Sequence, residues 1–356
     1  MELYEKILME ELKNTDLYNQ RIPISGGLEL TGKCNLNCVH CYEASDRNNI
    51  SLSTEEIVSL VDDLVSEGVL SLYLTGGEAM FREDFSYIYK YIRKSGIIVG
   101  ILSNGTTITN DIIALFKKYP PMMIDISIYG ASEETYYKVT RKKGIFNVFI
   151  NCLEKLKQND IPFNLKTVLM IENIKDLDKM KYIAKYFNVP FKFFTNIRPM
   201  NNGNKEPINH MLTIEEAIKA EFSDENLINF YLNIENLKSG ITERKKANNK
   251  YLCKIGQNGF FITHDGVLHG CVRERKHGYN LKEGSFNDGW NNYITKCFIE
   301  PLAEKSFMCT ECKYMPFCDY CPAQFELETG DPTKPPNEVC IMAKKRKEFT
   351  LKKRGK

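Results

Sequence analysis

Nowhere in the chain do about eighteen apolar side chains follow one another, so no transmembrane helix is expected. The opening residues, MELYEKILMEELKN, have neither a long apolar stretch nor a small-residue cleavage site, which excludes a secretory signal. An excess of one charge is missing too: 48 Lys and Arg face 46 Asp and Glu, and the net charge of +2 gives no general pull towards nucleic acid or membrane. Internal repeats and low-complexity blocks are absent apart from a basic C-terminus. About 26 residues precede the first expected strand, too few for a separate leader-binding domain. The expected location is the cytoplasm, where thiols stay reduced.

What the chain does have is cysteine. Its 356 residues hold twelve, in an otherwise ordinary composition of 43% apolar and 26% charged residues. In a reducing compartment, clustered cysteines point to metal rather than to disulfides. Three fall within 34–41 and four within 309–321, with others flanking the second group. Cys152 and Cys297 stand apart, and Cys152 sits among Val148, Phe149 and Leu153 as a core residue would.

Between Gly27 and about Thr195, short β-rich runs alternate with helical stretches. Strands are expected at Leu28–Thr31, Ser71–Leu74, Ile97–Leu102, Met122–Ile128, Phe163–Met170 and Phe191–Thr195. Ser53, followed by Glu55 and Glu56, reads as a helix start, with Ile57, Leu60, Val61 and Leu64 at helical spacing. Six strands separated by helices predict a partial (βα)6 TIM-like barrel built on a parallel sheet. Functional groups in such barrels sit at the C-terminal strand ends. The cysteine loop, Gly76-Gly77-Glu78, Ser103-Asn104 and Ser127 to Gly130 all fall at such ends.

The expected division is a helical extension over 1–26, the barrel over 27–203, a helical connector over 204–250, a small Cys-rich α+β domain over 251–345 and a basic tail over 346–356. A hairpin is expected where Phe260–Ile262 and Val267-Leu268 flank Asp265-Gly266, with His264 and His269 in its turns. The run Lys344-Lys345-Arg346-Lys347 reads as a solvated helix end.

Cys34, Cys38 and Cys41 can converge on one metal centre and leave a coordination position open for substrate. A zinc loop completed by His40 is the alternative. With Tyr42 beside the last cysteine, the segment resembles the CxxxCxxC signature of the radical S-adenosylmethionine (SAM) superfamily. That resemblance covers Gly27 to about Gly203. It implies a [4Fe–4S] cluster whose unique iron binds SAM, one-electron reduction from a flavodoxin or ferredoxin, and a 5′-deoxyadenosyl radical that abstracts hydrogen from substrate. Gly76, Gly77 and Glu78 resemble the family's SAM-amino motif. Two glycines allow close backbone approach, and a carboxylate complements an ammonium. Ser103, Asn104 and Ser127 stand where the family places further SAM contacts, and Arg141 where a carboxylate contact is expected.

The second cysteine field is Cys253, twelve residues, Gly266, four residues, Cys271, then Cys309, Cys312, Cys318, Cys321 and Cys340. It resembles a SPASM domain, the extension of many radical SAM peptide maturases. The resemblance implies two auxiliary iron–sulfur clusters: Cys309, Cys312, Cys318 and Cys340 on one, Cys253, Cys271 and Cys321 on the other. The spacing departs at Cys318-Asp319-Tyr320-Cys321, and the three-cysteine set needs an open iron or an outside ligand, for which Cys297 is a candidate. The alternative is a zinc ribbon on Cys309, Cys312, Cys318 and Cys321. Two auxiliary clusters suit oxidation of a substrate radical. The leading expectation is therefore oxidative crosslinking of a peptide, with a separate leader-binding partner. A tetrapyrrole side-chain enzyme with a small-molecule substrate is second. A sulfatase maturase ranks below, because Val272 stands where that activity has Asp. An electron carrier has no use for the Gly-Gly-Glu motif.

Overall fold

The structure is a computed structural model, and it describes residues 20–43, 50–234, 249–303 and 307–355. The expected helical extension up to residue 19 and the connector's last part, 235–248, lie outside the described residues.

Six parallel strands follow one another as expected: β1 (Ser25–Glu29), β2 (Ser71–Thr75), β3 (Ile98–Ser103), β4 (Met123–Ser127), β5 (Phe163–Val168) and β6 (Phe191–Phe194). Helices cross between them: α1 (Thr54–Ser66), α2 (Phe85–Lys94), α3 (Asn110–Lys118), α4 (Glu133–Thr140), α5 (Ile145–Gln158) and α6 (Leu177–Phe187). Helix α1 starts on a capping box, Ser53 with Glu56, and buries Ile57, Leu60, Val61 and Leu64 against the sheet. Helix α4 was not among the expected elements. Its eight residues are too few to show a period, and Ser132 caps it through the Thr135 N–H.

The sheet does not stop at β1. After α7 (Ile214–Glu221) and α8 (Glu225–Asn233), the strand β7 (Gly259–Ile262) pairs with β1 in parallel, and β8 (Val267–His269) and β9 (Tyr279–Asn280) follow antiparallel. The sheet thus has nine strands in the order β6-β5-β4-β3-β2-β1-β7-β8-β9. The expected hairpin forms, and it extends the barrel sheet rather than standing off it.

Strand β1 begins three residues before its expected start at Leu28 and takes in Gly26 and Gly27. Both glycines are in the strand: a Cβ on Gly26 would lie 2.2 Å from the Phe260 ring, and one on Gly27 would lie 2.4 Å from the Phe261 ring. The two bare positions let β7 lay its aromatic side chains across β1.

The C-terminal helix α9 (Pro322–Thr329) sets Phe325 in a cluster with Leu252, Cys309 and Met315, while α10 (Asn337–Lys353) packs with α7 and α8 around another apolar cluster of Ile218, Phe222, Tyr231, Phe317 and Ala343. The basic run is not wholly solvated. Arg346 is 4% exposed and grips Glu221 with Nε at 2.8 Å and Nη2 at 2.7 Å, while Nη2 is 2.9 Å from Asp319. Glu221 also accepts from Thr195 Oγ1 at 2.7 Å and from the Tyr231 hydroxyl at 3.1 Å. A run of four basic residues on a helix must turn one inward, and here a buried carboxylate meets it.

Arg346→Met strands Glu221 without its counter-charge. The expected loss is about 3–5 kcal/mol, whereas Lys345→Met stays within about 0.5 kcal/mol. Anaerobic urea denaturation of the two variants measures the difference.

Candidate functional site

The cysteine loop leaves β1 at the C-terminal edge of the sheet and is held from two sides. On one side, Gly77 N donates to Thr31 O at 2.8 Å and Glu78 N to Lys33 O at 2.9 Å. On the other, Asn37 N and Val39 N donate to Thr140 O and Val139 O at 3.0 and 2.9 Å, so the loop hangs on the end of α4. The Gly-Gly pair serves this packing directly. A Cβ on Gly76, whose φ is +138°, would lie 2.2 Å from Thr31 O, and one on Gly77 would lie 2.3 Å from Lys33 O. The close approach anticipated for a ligand is made to the loop's own backbone.

Glu78 is 1% exposed. Ser103 Oγ donates to its Oε1 at 2.9 Å and Asn104 N to its Oε2 at 2.8 Å. Burial raises its carboxyl above the ordinary range, and these bonds offset part of the rise. Asn104 carries the link onward, with Nδ2 donating to Asn35 Oδ1 at 2.9 Å and standing 3.9 Å from Cys34 Sγ. Leu36 N points at the same sulfur from 3.4 Å. Glu78, Ser103, Asn104 and Cys34 therefore form one connected unit. Ser127 ends β4, and the Tyr129 phenol beyond it is held protonated by burial first and then by its neighbours Cys38 and Cys34. Arg141 is half-exposed, in a left-handed conformation at the end of α4, with Nη2 3.5 Å from Glu206.

Three half-buried thiols on one loop, two of them facing the same phenol, with backbone N–H and amide donors aimed at Cys34, are a donor set that fits a metal cluster with one ligand position left open. His40 lies 5.8 Å from the Tyr129 ring, and its Nδ1 is buried without a partner. Burial lowers its pKa to about 4, so the ring is neutral.

Four thiols of the second field share one cavity. Cys309, Cys312, Cys318 and Cys340 line one cavity with Met308, Tyr314 and Met315, and Cys321 is not among its lining residues. Burial, then Asp319 and the three companion thiols, pushes Cys318 up to about 12. Thiols that penalise one another's ionisation are relieved by a cationic metal core, so this cavity fits a four-thiolate site. Cys271 and Cys321 lie together on Arg273, which hydrogen-bonds Cys321. The Tyr320 hydroxyl is held protonated by burial first, with the nearby thiols Cys253, Cys309 and Cys321 adding to the rise. Cys297 bonds the Tyr293 hydroxyl, and Cys152 is a core thiol that burial pushes up to about 12.

A buried charge network joins the barrel to the hairpin, and the sequence reading missed it. Glu29, 4% exposed, has Arg275 Nη2 at 2.9 Å and His264 Nδ1 at 3.3 Å. The same Nη2 reaches Glu43 at 2.7 Å, and the Arg275 guanidinium lies 4.4 Å from the centre of the Phe261 ring. Neither hairpin histidine is a surface turn residue: His264 is 3% exposed, and His269, 5% exposed, bonds His277 O at 3.0 Å. Arg198, past the end of β6, stacks 3.9 Å from the Tyr42 ring centre.

A nine-stranded sheet whose C-terminal edge presents a three-thiol loop, beside a second thiol field, defines a metal-dependent barrel enzyme. Residues 28–183 match the radical SAM superfamily, and the chain is an enzyme carrying a radical SAM domain, a family that uses a [4Fe–4S] cluster and SAM. It is 27% identical over 321 residues to the AdoMet-dependent heme synthase of Methanosarcina barkeri (strain Fusaro / DSM 804), across 85% of this chain and 92% of that protein. It is 25% identical over 313 residues to the antilisterial bacteriocin subtilosin biosynthesis protein AlbA of Bacillus subtilis (strain 168), across 85% of this chain and 65% of that protein. The fold is shared with Streptococcus suis SuiB bound to S-adenosylmethionine, at a TM-score of 0.67 and 14% identity over 93% of this chain and 80% of that one. Among the described residues, no helix is long and apolar enough to cross a membrane.

The Glu29 network sets a pH dependence. Burial opposes Glu29's charge, but the bond from His264 and the charge of Arg275 outweigh it and lower its pKa below the ordinary 4.5. Burial likewise opposes His264's charge, and Glu29 outweighs it and raises its pKa above 6.5. Glu29's contribution is present above 4.5 and is lost as pH falls through its depressed folded value. His264's contribution is full below 6.5 and is lost as pH rises through its raised folded value. The stability gap between wild type and His264→Gln is therefore widest at a pH of about 5–6 and narrows towards about 9. Urea midpoints across that range test it, and a gap that widens with pH contradicts the assignment.

Proposed function

We propose that this enzyme cleaves SAM reductively on a cluster held by Cys34, Cys38 and Cys41 and oxidatively modifies a peptide, forming a thioether or carbon–carbon crosslink. The observation that carries the reading is the four-thiol cavity of Cys309, Cys312, Cys318 and Cys340, with Cys321 outside its lining and beside Cys271 on Arg273; the proposal adds Cys253 to Cys271 and Cys321 as a second set. Two further clusters give a substrate radical somewhere to send its electron. The likeness to AlbA and to SuiB, which was also solved bound to its precursor peptide SuiA, supports a peptide substrate.

When bound, the cluster and SAM together supply a 5′-deoxyadenosyl radical. The chain's own residues do the rest. Glu78, through Ser103 and Asn104, locks the β3 end against Cys34. Gly76, Gly77 and Glu78 shape the wall beside the SAM-binding position, where Tyr42, Ser103, Asn104, Ser127 and Arg141 are the further candidate contacts. Arg273 donates to Cys321 and so tunes the three-cysteine site. The reductant in this reading is a flavodoxin or ferredoxin, and substrate delivery involves a separate leader-binding protein. In this reading the first cluster belongs to a barrel unit over 27–203 and the auxiliary pair to a C-terminal unit over 251–345.

A tetrapyrrole side-chain reaction is the second reading. The overlap with 92% of the haem synthase favours it.

Anaerobic reconstitution with SAM and dithionite tests the core claim. The wild type is expected to release 5′-deoxyadenosine and to hold about twelve irons, falling to about eight in the Cys34/Cys38/Cys41 triple Ala variant. Zinc in place of iron at those thiols, or intact SAM under strong reductant, defeats it. A mass loss of two hydrogens from a peptide encoded beside the enzyme selects the peptide reading over the tetrapyrrole one.

A further inference from the structure

Arg198 is 9% exposed, and its Nη1 makes no hydrogen bond. One face of the guanidinium is covered by the Tyr42 ring at 3.9 Å. Among the described residues, its titratable neighbours are Tyr42, Glu43 and two further arginines, Arg273 and Arg275. Glu43 and Glu29 both bond Arg275 Nη2, at 2.7 and 2.9 Å, and Arg273 is turned towards Cys321 and Cys271. Arg198 Nη1 is thus a buried donor with no partner among the described residues. A buried guanidinium nitrogen left without a partner is costly, and an incoming anion removes the cost.

We propose that Arg198 binds a carboxylate group of the substrate, at a position between the Cys34/Cys38/Cys41 loop and the Cys253/Cys271/Cys321 group. Tyr42 covers one flat face, and the guanidinium edge, which carries the unpartnered Nη1, matches the two oxygens of a planar carboxylate. The location follows from the residues on either side. Tyr42 is the residue after Cys41, and its carbonyl accepts from Asn201 N at 2.9 Å, in the loop that carries Arg198. Arg273, on the opposite flank, hydrogen-bonds Cys321. The same loop touches α9 through Asn196 Nδ2 and Gln324 Oε1 at 3.3 Å. A substrate anchored there spans the distance from the radical-forming site to the auxiliary thiols. The carboxylate of SAM is the competing occupant. Arg198 lies over Tyr42, the residue after Cys41, so a direct reading of SAM binding is needed to separate the two occupants.

The inference rests on the reading of two thiol sites flanking one substrate, and its test is an equilibrium binding measurement that does not need SAM cleavage. Two probe pairs are titrated into anaerobic, cluster-loaded enzyme: coproporphyrin III against its tetramethyl ester, and a short Glu-containing peptide against its Gln counterpart. At least one acid form is expected to bind the wild type roughly tenfold or more tightly than its neutral partner, the scale of one charge-assisted contact. That preference is expected to vanish in Arg198→Gln and to survive in part in Arg198→Lys. Which pair shows it identifies the source of the carboxylate. The comparison within wild type needs no variant to fold. The proposal is overturned if neither acid form is preferred, if the preference persists in Arg198→Gln, or if that variant instead weakens SAM binding read from the cluster's EPR signal.

Discussion

Strand β1 is the constraint on which the rest depends. It is flanked by parallel neighbours on both sides, β2 and β7, and it ends in the cysteine loop. Its middle positions are glycines, so the Phe260 and Phe261 rings of β7 lie directly over it. Phe261 in turn supports the Arg275 guanidinium, which reaches back to Glu29 at the end of β1. A single five-residue strand therefore fixes three things together: the position of the thiol loop, the docking of the C-terminal hairpin, and the seat of a buried charge network.

That network explains why the junction holds one arrangement. Buried charges contribute little net stability when paired but are severely penalised when a partner is displaced. Sliding β7 along β1 would separate Arg275 and His264 from Glu29, and a shift of one residue would also drive Phe260 and Phe261 away from the glycines that admit them. Apolar packing supplies the adhesion, and the charges supply the register. The thiol loop is positioned by the same logic on its other flank, where its backbone lies so close to Gly76 and Gly77 that neither position has room for a side chain.

The β/α alternation was legible because its signals are local: runs of apolar residues, a capping box, glycines after strands. The cysteine fields were legible because their spacing is itself a pattern. What stayed hidden was long-range. Glu29 and Arg275 are 246 residues apart, and Arg346 and Glu221 are 125 apart, so no window along the chain joins them. The true start of β1 at Ser25 was hidden because the glycines Gly26 and Gly27 carry no strand signal without the rings that lie over them. His264 and His269 were read as turn residues for the same reason, since their burial comes from strands that meet only in the folded sheet.

The two kinds of thiol site differ in what must fold before they exist. Cys34, Cys38 and Cys41 share one loop, so the barrel alone presents them. Cys309, Cys312 and Cys318 need Cys340, which comes from α10, the last helix. Six residues further along that helix, Arg346 is locked to Glu221, and Glu221 also holds Thr195 beyond β6. The rotation and height of α10, and hence the aim of Cys340, are set by a carboxylate tied to the barrel's own edge. A metal centre held by these four thiols would add its binding energy to the packing of α10, and the helix would in turn preorganise the donors. Formation of such a site and docking of the C-terminal helix onto the barrel would then be one coupled equilibrium, with the Arg346 and Glu221 pair as its mechanical link.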